Sequence, residues 1–430
     1  MIPRISLGLA LLCVVVMQGP AFGQELVSGQ AAECHARDGI PNVLRKLHAG
    51  KDVRIAYLGG SITAQPGWRV QTTAWFRQQY PNSRVDEINA AIGGTGSDLG
   101  AYRLQHDVLV HKHDLLFVEF AVNDGGAPVA RILKSMEGIV RQTWRADPET
   151  DICFVYTLTQ NMLATLQAGK FPRAASTMER VADYYGIPSI HMGLEVARLE
   201  QQGRILFKGP KPKTDAEKKK RSGIVVFSAD GVHPYPDTGH PFYRAAIVRG
   251  MARMARLGNP GPHRLKKPLV VDNWEHATMI PIDQVDMSSG WTKLSLETDP
   301  VGKRFKNRVP ELFKANRPGT SISFKFKGTG VEIYDILGPD CGQVLVQLDD
   351  QPPRLVPRFD AYFTYHRLAT LRIGRDLPDT VHRVHVEIHP KQPDKAKILS
   401  KRNQTIDDPK RFDDTAWYVG AVLIIGQLVQ

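Results

Sequence analysis

Cysteine is scarce in this 430-residue chain: Cys13, Cys34, Cys153 and Cys341 are the only four, and none forms a C-x-x-C pair or a Cys/His cluster. That spacing argues against a zinc-stapled or disulfide-dense scaffold, and no metal or cofactor is expected. Cys153 lies in an apolar run and reads as a buried small hydrophobe. A Cys34–Cys341 bridge stays open, because a bridge depends on geometry that spacing does not reveal. Beyond the N-terminus there is no internal repeat and no apolar run long enough to cross a bilayer, so no stable membrane insertion is expected. A complete dinucleotide-binding fingerprint is also missing. Gly94-x-Gly96 is followed by Leu99, with the next glycine one place late at Gly100.

The net charge of +12 raises the question of nucleic acid. Half of that excess sits in one insertion, Arg204–Arg221, where eight Lys/Arg stand against two Asp/Glu. No interleaved aromatic platform accompanies it, so nucleic acid is not an expected partner. The stretch reads as a solvated mobile loop, with a sharper alternative: an electropositive rim beside an active site that attracts anionic polysaccharide. Residues 1–23 carry Arg4, an apolar Ile5–Met17 and a small-x-small Ala21-Phe22-Gly23. They read as a cleavable signal peptide, which makes the expected location secreted or periplasmic.

Length alone favours two domains. Val53–Ser61, Val85–Ile92, Leu115–Asp124 and Asp151–Thr159 read as strands, three of them as near-continuous apolar runs suited to a parallel sheet covered on both faces. Helix-length stretches separate them: 68–79, 100–111, 129–147 and 171–185. Ile187–Met192 is a candidate fifth strand, and Pro241–Leu257 an amphipathic closing helix. This alternation predicts an α/β sandwich. After Gly258 comes the breaker cluster Asn259-Pro260-Gly261-Pro262, and then only short β-patterned segments. The expected division is a catalytic domain over 24–262, a linker over 263–282 and an antiparallel, jelly-roll-like β-sandwich over 283–430. Trp291, Tyr334, Tyr362, Phe363, Tyr365 and Trp417 suit either its core or a sugar-stacking face, with the core favoured.

Four segments carry chemistry. Gly59-Gly60-Ser61-Ile62-Thr63 puts a serine after an apolar strand and two glycines, where a helix starting after Thr63 would aim N–H groups at a developing oxyanion. Asn89–Ser97 (NAAIGGTGS) supplies Gly94, whose N–H can point into the same crevice. Asn123 ends the third strand and can offer a side-chain N–H₂, while Asp124 beside it suits a loop-fixing role. Asp230 and His233, three apart, can form an oriented base. Read singly, each also fits an ordinary turn. His106, His111 and His113 look like bystanders.

Taken together and in order, these segments resemble the four blocks of the SGNH (GDSL-type) hydrolase superfamily, in the subgroup whose first block reads GGSIT. The resemblance spans roughly residues 50–257 and implies a flavodoxin-like three-layer α/β/α domain. It also implies Ser61 as nucleophile, His233 as base and Asp230 as its orienting acid. The Ser61 N–H, the Gly94 N–H and the Asn123 side chain would form the oxyanion hole. Gly60 replaces the usual Asp, and Ala121 replaces a Gly, which leads us to expect tighter access near the oxyanion hole. A secretion signal and an appended β-sandwich point to a carbohydrate O-acetyl esterase with an acylated glycan as substrate. The alternatives are a lipid or thioester acylhydrolase, a glycan O-acetyltransferase, or a non-catalytic glycan-binding protein.

Overall fold

The computed structural model describes residues 30–429 apart from 222, 363 and 407. The expected signal peptide, Cys13 and Phe363 lie outside the described residues. The first sheet contains β1 (Cys34–His35), β2 (Val53–Gly59), β3 (Val85–Asn89), β4 (Leu115–Glu119), β5 (Asp151–Tyr156) and β6 (Ser189–His191), in the order β1-β6-β5-β4-β2-β3. β2 through β6 run parallel, and β1 closes one edge antiparallel. Every residue of β4 and β5 is buried. Because side chains alternate across a strand, Ile55, Tyr57, Phe117 and Val155 face one layer, built by helices Trp68–Gln79 and His240–Met254. Ala56, Leu58, Leu116, Val118 and Phe154 face the other, built by helices Ser97–Asp107, Val129–Ala146 and Arg173–Tyr185. The result is the flavodoxin-like α/β/α order, with a switch point beside β2, where the chain leaves for β3 on one side and returns to β4 on the other.

Two expected boundaries move. The second long helix begins at Ser97 instead of Gly100, because extended Gly96 takes the N-cap and the Ser97 N–H donates to the Asp124 carboxylate at 3.1 Å. The Arg204–Arg221 stretch is not a free loop. Ile205–Lys208 pairs in parallel with Val225–Ser228, and Asp215–Lys220 forms a short helix. Phe207 and Phe227, buried with ring centroids 4.9 Å apart, anchor that ribbon to the core. Its Lys/Arg-rich composition pointed to a solvated loop and masked these apolar anchors.

The second domain is built on the long strand Ser321–Leu337. Trp417–Val429 pairs along one edge, and Thr380–Ile388 and Arg367–Gly374 share the other, all antiparallel. Ala277–Pro281, in the stretch read as linker, also joins this sheet by pairing with residues 421–425. Tyr334 and Trp417 are core residues, whereas Tyr362 and Tyr365 are about half exposed. Cys34, Cys153 and Cys341 are all buried free thiols, and Cys34 and Cys341 lie in different domains, so no bridge joins them.

The domains share one core. Val331, Ile333, Val422 and Ile424 point into the sandwich. Tyr334, Ile336, Leu423 and Ile425 point the other way, into the same apolar cluster as Leu104 and Ile139 of the first domain. The connecting chain is pinned as well: the Leu269 and Val270 N–H groups donate to the Glu137 carboxylate at 2.5 and 2.7 Å, and the Trp274 N–H donates to the Lys134 carbonyl at 3.0 Å. The Trp274 ring lies 5.4 Å from that of Tyr102. Trp274→Ala should therefore destabilise both domains by about 3–5 kcal/mol in one urea transition. Separate melting of the sandwich in the parent protein would contradict a shared core.

Candidate active site

β2 ends at Gly59, and the chain turns at Gly60 straight into the one-turn helix Ser61–Ala64, so the helix begins at the serine and not after Thr63. The turn rests on a carboxylate beneath it. Glu119, at the buried end of β4, accepts from the Thr63 hydroxyl at 2.9 Å, the Thr157 hydroxyl at 2.7 Å and the Gly60 N–H. Burial raises its pKa, against the opposing pull of those three donors. A side chain at position 60 would overlap the Asn123 amide. Because the atoms met are the end of a side chain, a larger residue at position 60 would require that amide to shift.

His233 Nε2 lies 2.8 Å from Ser61 Oγ, bridging 172 positions of sequence. Its Nδ1 lies 2.7 Å from Asp230 Oδ2. The other Asp230 oxygen accepts from the Val232 and His233 N–H groups, both at 2.8 Å, and from the Ser228 hydroxyl at 3.0 Å. Burial acts to raise the Asp230 pKa, but the His233 ring and these donors outweigh it and hold the carboxyl well below the usual range. Asp230 is therefore an anion at any working pH and fixes the ring so that Nε2 faces the serine.

Gly94 is exposed, in a left-handed conformation with φ +78° that favours glycine, and open space lies where a side chain would project. Neighbouring Gly93 lies against Ser61: a Cβ there would meet the Ser61 Cβ at 3.4 Å. The half-buried Asn123 amide makes no hydrogen bond among the described residues, although it abuts the turn at Gly60. Serine hydroxyl, imidazole, carboxylate, an open glycine loop and an uncommitted amide thus meet at the switch point. That set can attack a carbonyl carbon and stabilise the charge that forms. Ala121, expected to narrow access, is instead buried in the core.

Three supporting residues escaped the sequence reading or were underestimated by it. Glu119 had one visible sign, a lone acid in the run LLFVEFAVND. Asp124 was read as a loop-fixing residue; it is buried beneath the glycine loop, where desolvation pushes its pKa up to about 7 despite the Ser97 donors. His240 lies under the site, with Nδ1 accepting from the Trp68 N–H at 3.1 Å and Nε2 3.3 Å from Gln65 Oε1. Burial, together with the neighbouring His233, lowers its pKa to about 4, so it is neutral and committed. His106 pairs with Asp107, and His113 is buried with neither ring nitrogen hydrogen-bonded. Among the described residues no group of three or more His, Cys, Asp or Glu could hold a metal ion.

Residues 57–238 match the model of the GDSL-like lipase/acylhydrolase family. Two crystal structures of a two-domain esterase active on acetylated mannans, one co-crystallised with mannopentaose, share the fold over both domains. They are 20% and 19% identical and cover 90% of this chain and 94% and 95% of their own, each with a TM-score of 0.67. Among curated proteins, sequence comparison finds no match.

The Asp124 carboxyl offers a test of this architecture. With its folded pKa near 7 and an unfolded value of about 4, its stabilising contribution is complete below about pH 4 and is lost as pH rises through about 7. Asp124→Asn, which cannot ionise, should gain stability relative to the parent between pH 4 and 8 by about 1–4 kcal/mol. Urea unfolding across that range measures it, and a pH-independent difference would exclude a buried titration.

Proposed function

We propose that this chain, whose residues 57–238 match the model of the GDSL-like lipase/acylhydrolase family, is a carboxylic ester hydrolase that removes O-acetyl groups from a carbohydrate through an acyl-enzyme on Ser61. The observation that carries the mechanism is the unbroken hydrogen-bonded chain from Ser61 Oγ through His233 to Asp230. Ser61 Oγ attacks the ester carbonyl carbon while His233 Nε2 takes its proton. The tetrahedral oxyanion accepts from the Ser61 N–H, the Gly94 N–H and the Asn123 amide. Collapse expels the sugar hydroxyl, to which His233 returns the proton. Water, deprotonated by His233, then cleaves the acetyl-serine and releases acetate.

An acetylated glycan substrate is supported by the likeness, over both domains, to an esterase active on acetylated mannans. Export by residues 1–23 belongs to the same reading. Among the described residues no helix is long and apolar enough to cross a membrane.

Ser61→Ala should abolish turnover of 4-nitrophenyl acetate and labelling by a fluorophosphonate probe; full activity in that variant would refute the mechanism. Asn123→Ala should slow kcat about 10²–10³-fold, the cost of one oxyanion donor. Asp230→Asn should lower kcat by about 10⁴-fold while leaving the fold intact, because the ring loses its orienting anion. Acetate release from a panel of acetylated polysaccharides tests the substrate class. Activity confined to long-chain acyl esters would overturn it.

A further inference from the structure

The glycine loop beside Ser61 forms one wall of a cavity of about 330 Å³ whose opposite wall belongs to the second domain. That size suits a small-molecule subsite. Gly93 and Gly94 line it from the catalytic side, and Arg304, Arg308 and Tyr365 from the other. Arg304 sits on a rigid support. The short helix Pro300–Phe305 is capped by Asp299, which accepts from the Val301 and Gly302 N–H groups at 2.8 Å, and is anchored by fully buried Phe305. The Arg304 guanidinium lies 4.9 Å from the centre of the half-exposed Tyr365 ring, an arrangement that holds the planar group in place and leaves its N–H edge able to bind.

The charge balance in this cavity is one-sided. Its two carboxylates, Asp98 and Glu332, are both engaged by Arg375, at 3.3 and 2.5 Å. Arg304 and Arg308 are exposed, and neither has a carboxylate within ion-pair distance among the described residues.

We infer that the cavity is a subsite for a carboxylate-bearing sugar, and that the preferred substrate is an O-acetylated glycan containing uronic acid. This rests on the esterase reading above. A guanidinium pair matches a sugar carboxylate in geometry and charge, and an aromatic ring beside it covers the apolar face of the pyranose.

The test compares partially O-acetylated oligogalacturonides with the same preparation after methyl esterification of its carboxylates, measuring acetate release. The free acid should be used with a kcat/KM at least about tenfold higher at low salt, mainly through KM, and the gap should close near 0.5 M salt as screening grows. In R304Q/R308Q the gap should collapse towards unity, whereas R304K/R308K, which keeps the charge, should retain part of it. Equal kcat/KM on the two preparations, or an undiminished gap in R304Q/R308Q, would overturn the subsite. So would no acetate from either preparation while the parent still turns over 4-nitrophenyl acetate. A parent protein inert towards 4-nitrophenyl acetate would overturn the esterase reading, and the subsite with it.

Discussion

The hydrogen bond between Ser61 Oγ and His233 Nε2 is the contact that the remaining architecture exists to hold. Its two ends arrive by different routes. Ser61 leaves the central strand β2 at the switch point, where neighbouring connections diverge and open a crevice. His233 comes on a tight loop between the ribbon strand Val225–Ser228 and the helix His240–Met254, and Asp230 accepts that loop's own N–H groups. A shift of about half an ångström in either support would lengthen this 2.8 Å contact past the roughly 3.2 Å reach of a catalytic hydrogen bond.

That requirement explains the buried polar groups beneath the site. Glu119 ties together the turns after β2 and β5, and Asp124 ties the loop after β4 to the start of the helix at Ser97. Burying a carboxyl is unfavourable unless donors surround it, and the raised pKa of each reflects the balance between desolvation and those donors. The fold accepts this cost where three loops from different strands must keep a common geometry.

The second domain is placed by the same logic on a larger scale. Its long central strand sends alternate side chains into its own sandwich and into the first domain's helix layer, so the two bodies pack as one unit. With Glu137 fixing the connecting chain, the residues facing the glycine loop hold a constant position relative to the nucleophile. A wall held in a fixed position can discriminate among ligands, which a tethered and freely rotating module could not.

Local pattern alone determined a good deal. Apolar runs in β2, β4 and β5, helix-length spacers and the breaker cluster after Gly258 encode the α/β order, because burial on two faces leaves a direct signature in composition. The residue types that acyl transfer needs were visible too, but their roles came from the joint resemblance of four segments to the SGNH blocks, because each segment alone also fits an ordinary turn. What only the tertiary structure decided depends on contacts far apart in the chain. Gly60 meets the Asn123 amide only because the turn after β4 folds back over it. His240 is neutral because the core closes around it, and the basic insertion is ordered because Phe207 meets Phe227. Arg304 and Arg308 lie more than 200 residues beyond Gly94, and nothing in their own neighbourhood marks them as facing it. Periodicity reports whether a residue is buried; which partner it is buried against is a property of the folded chain.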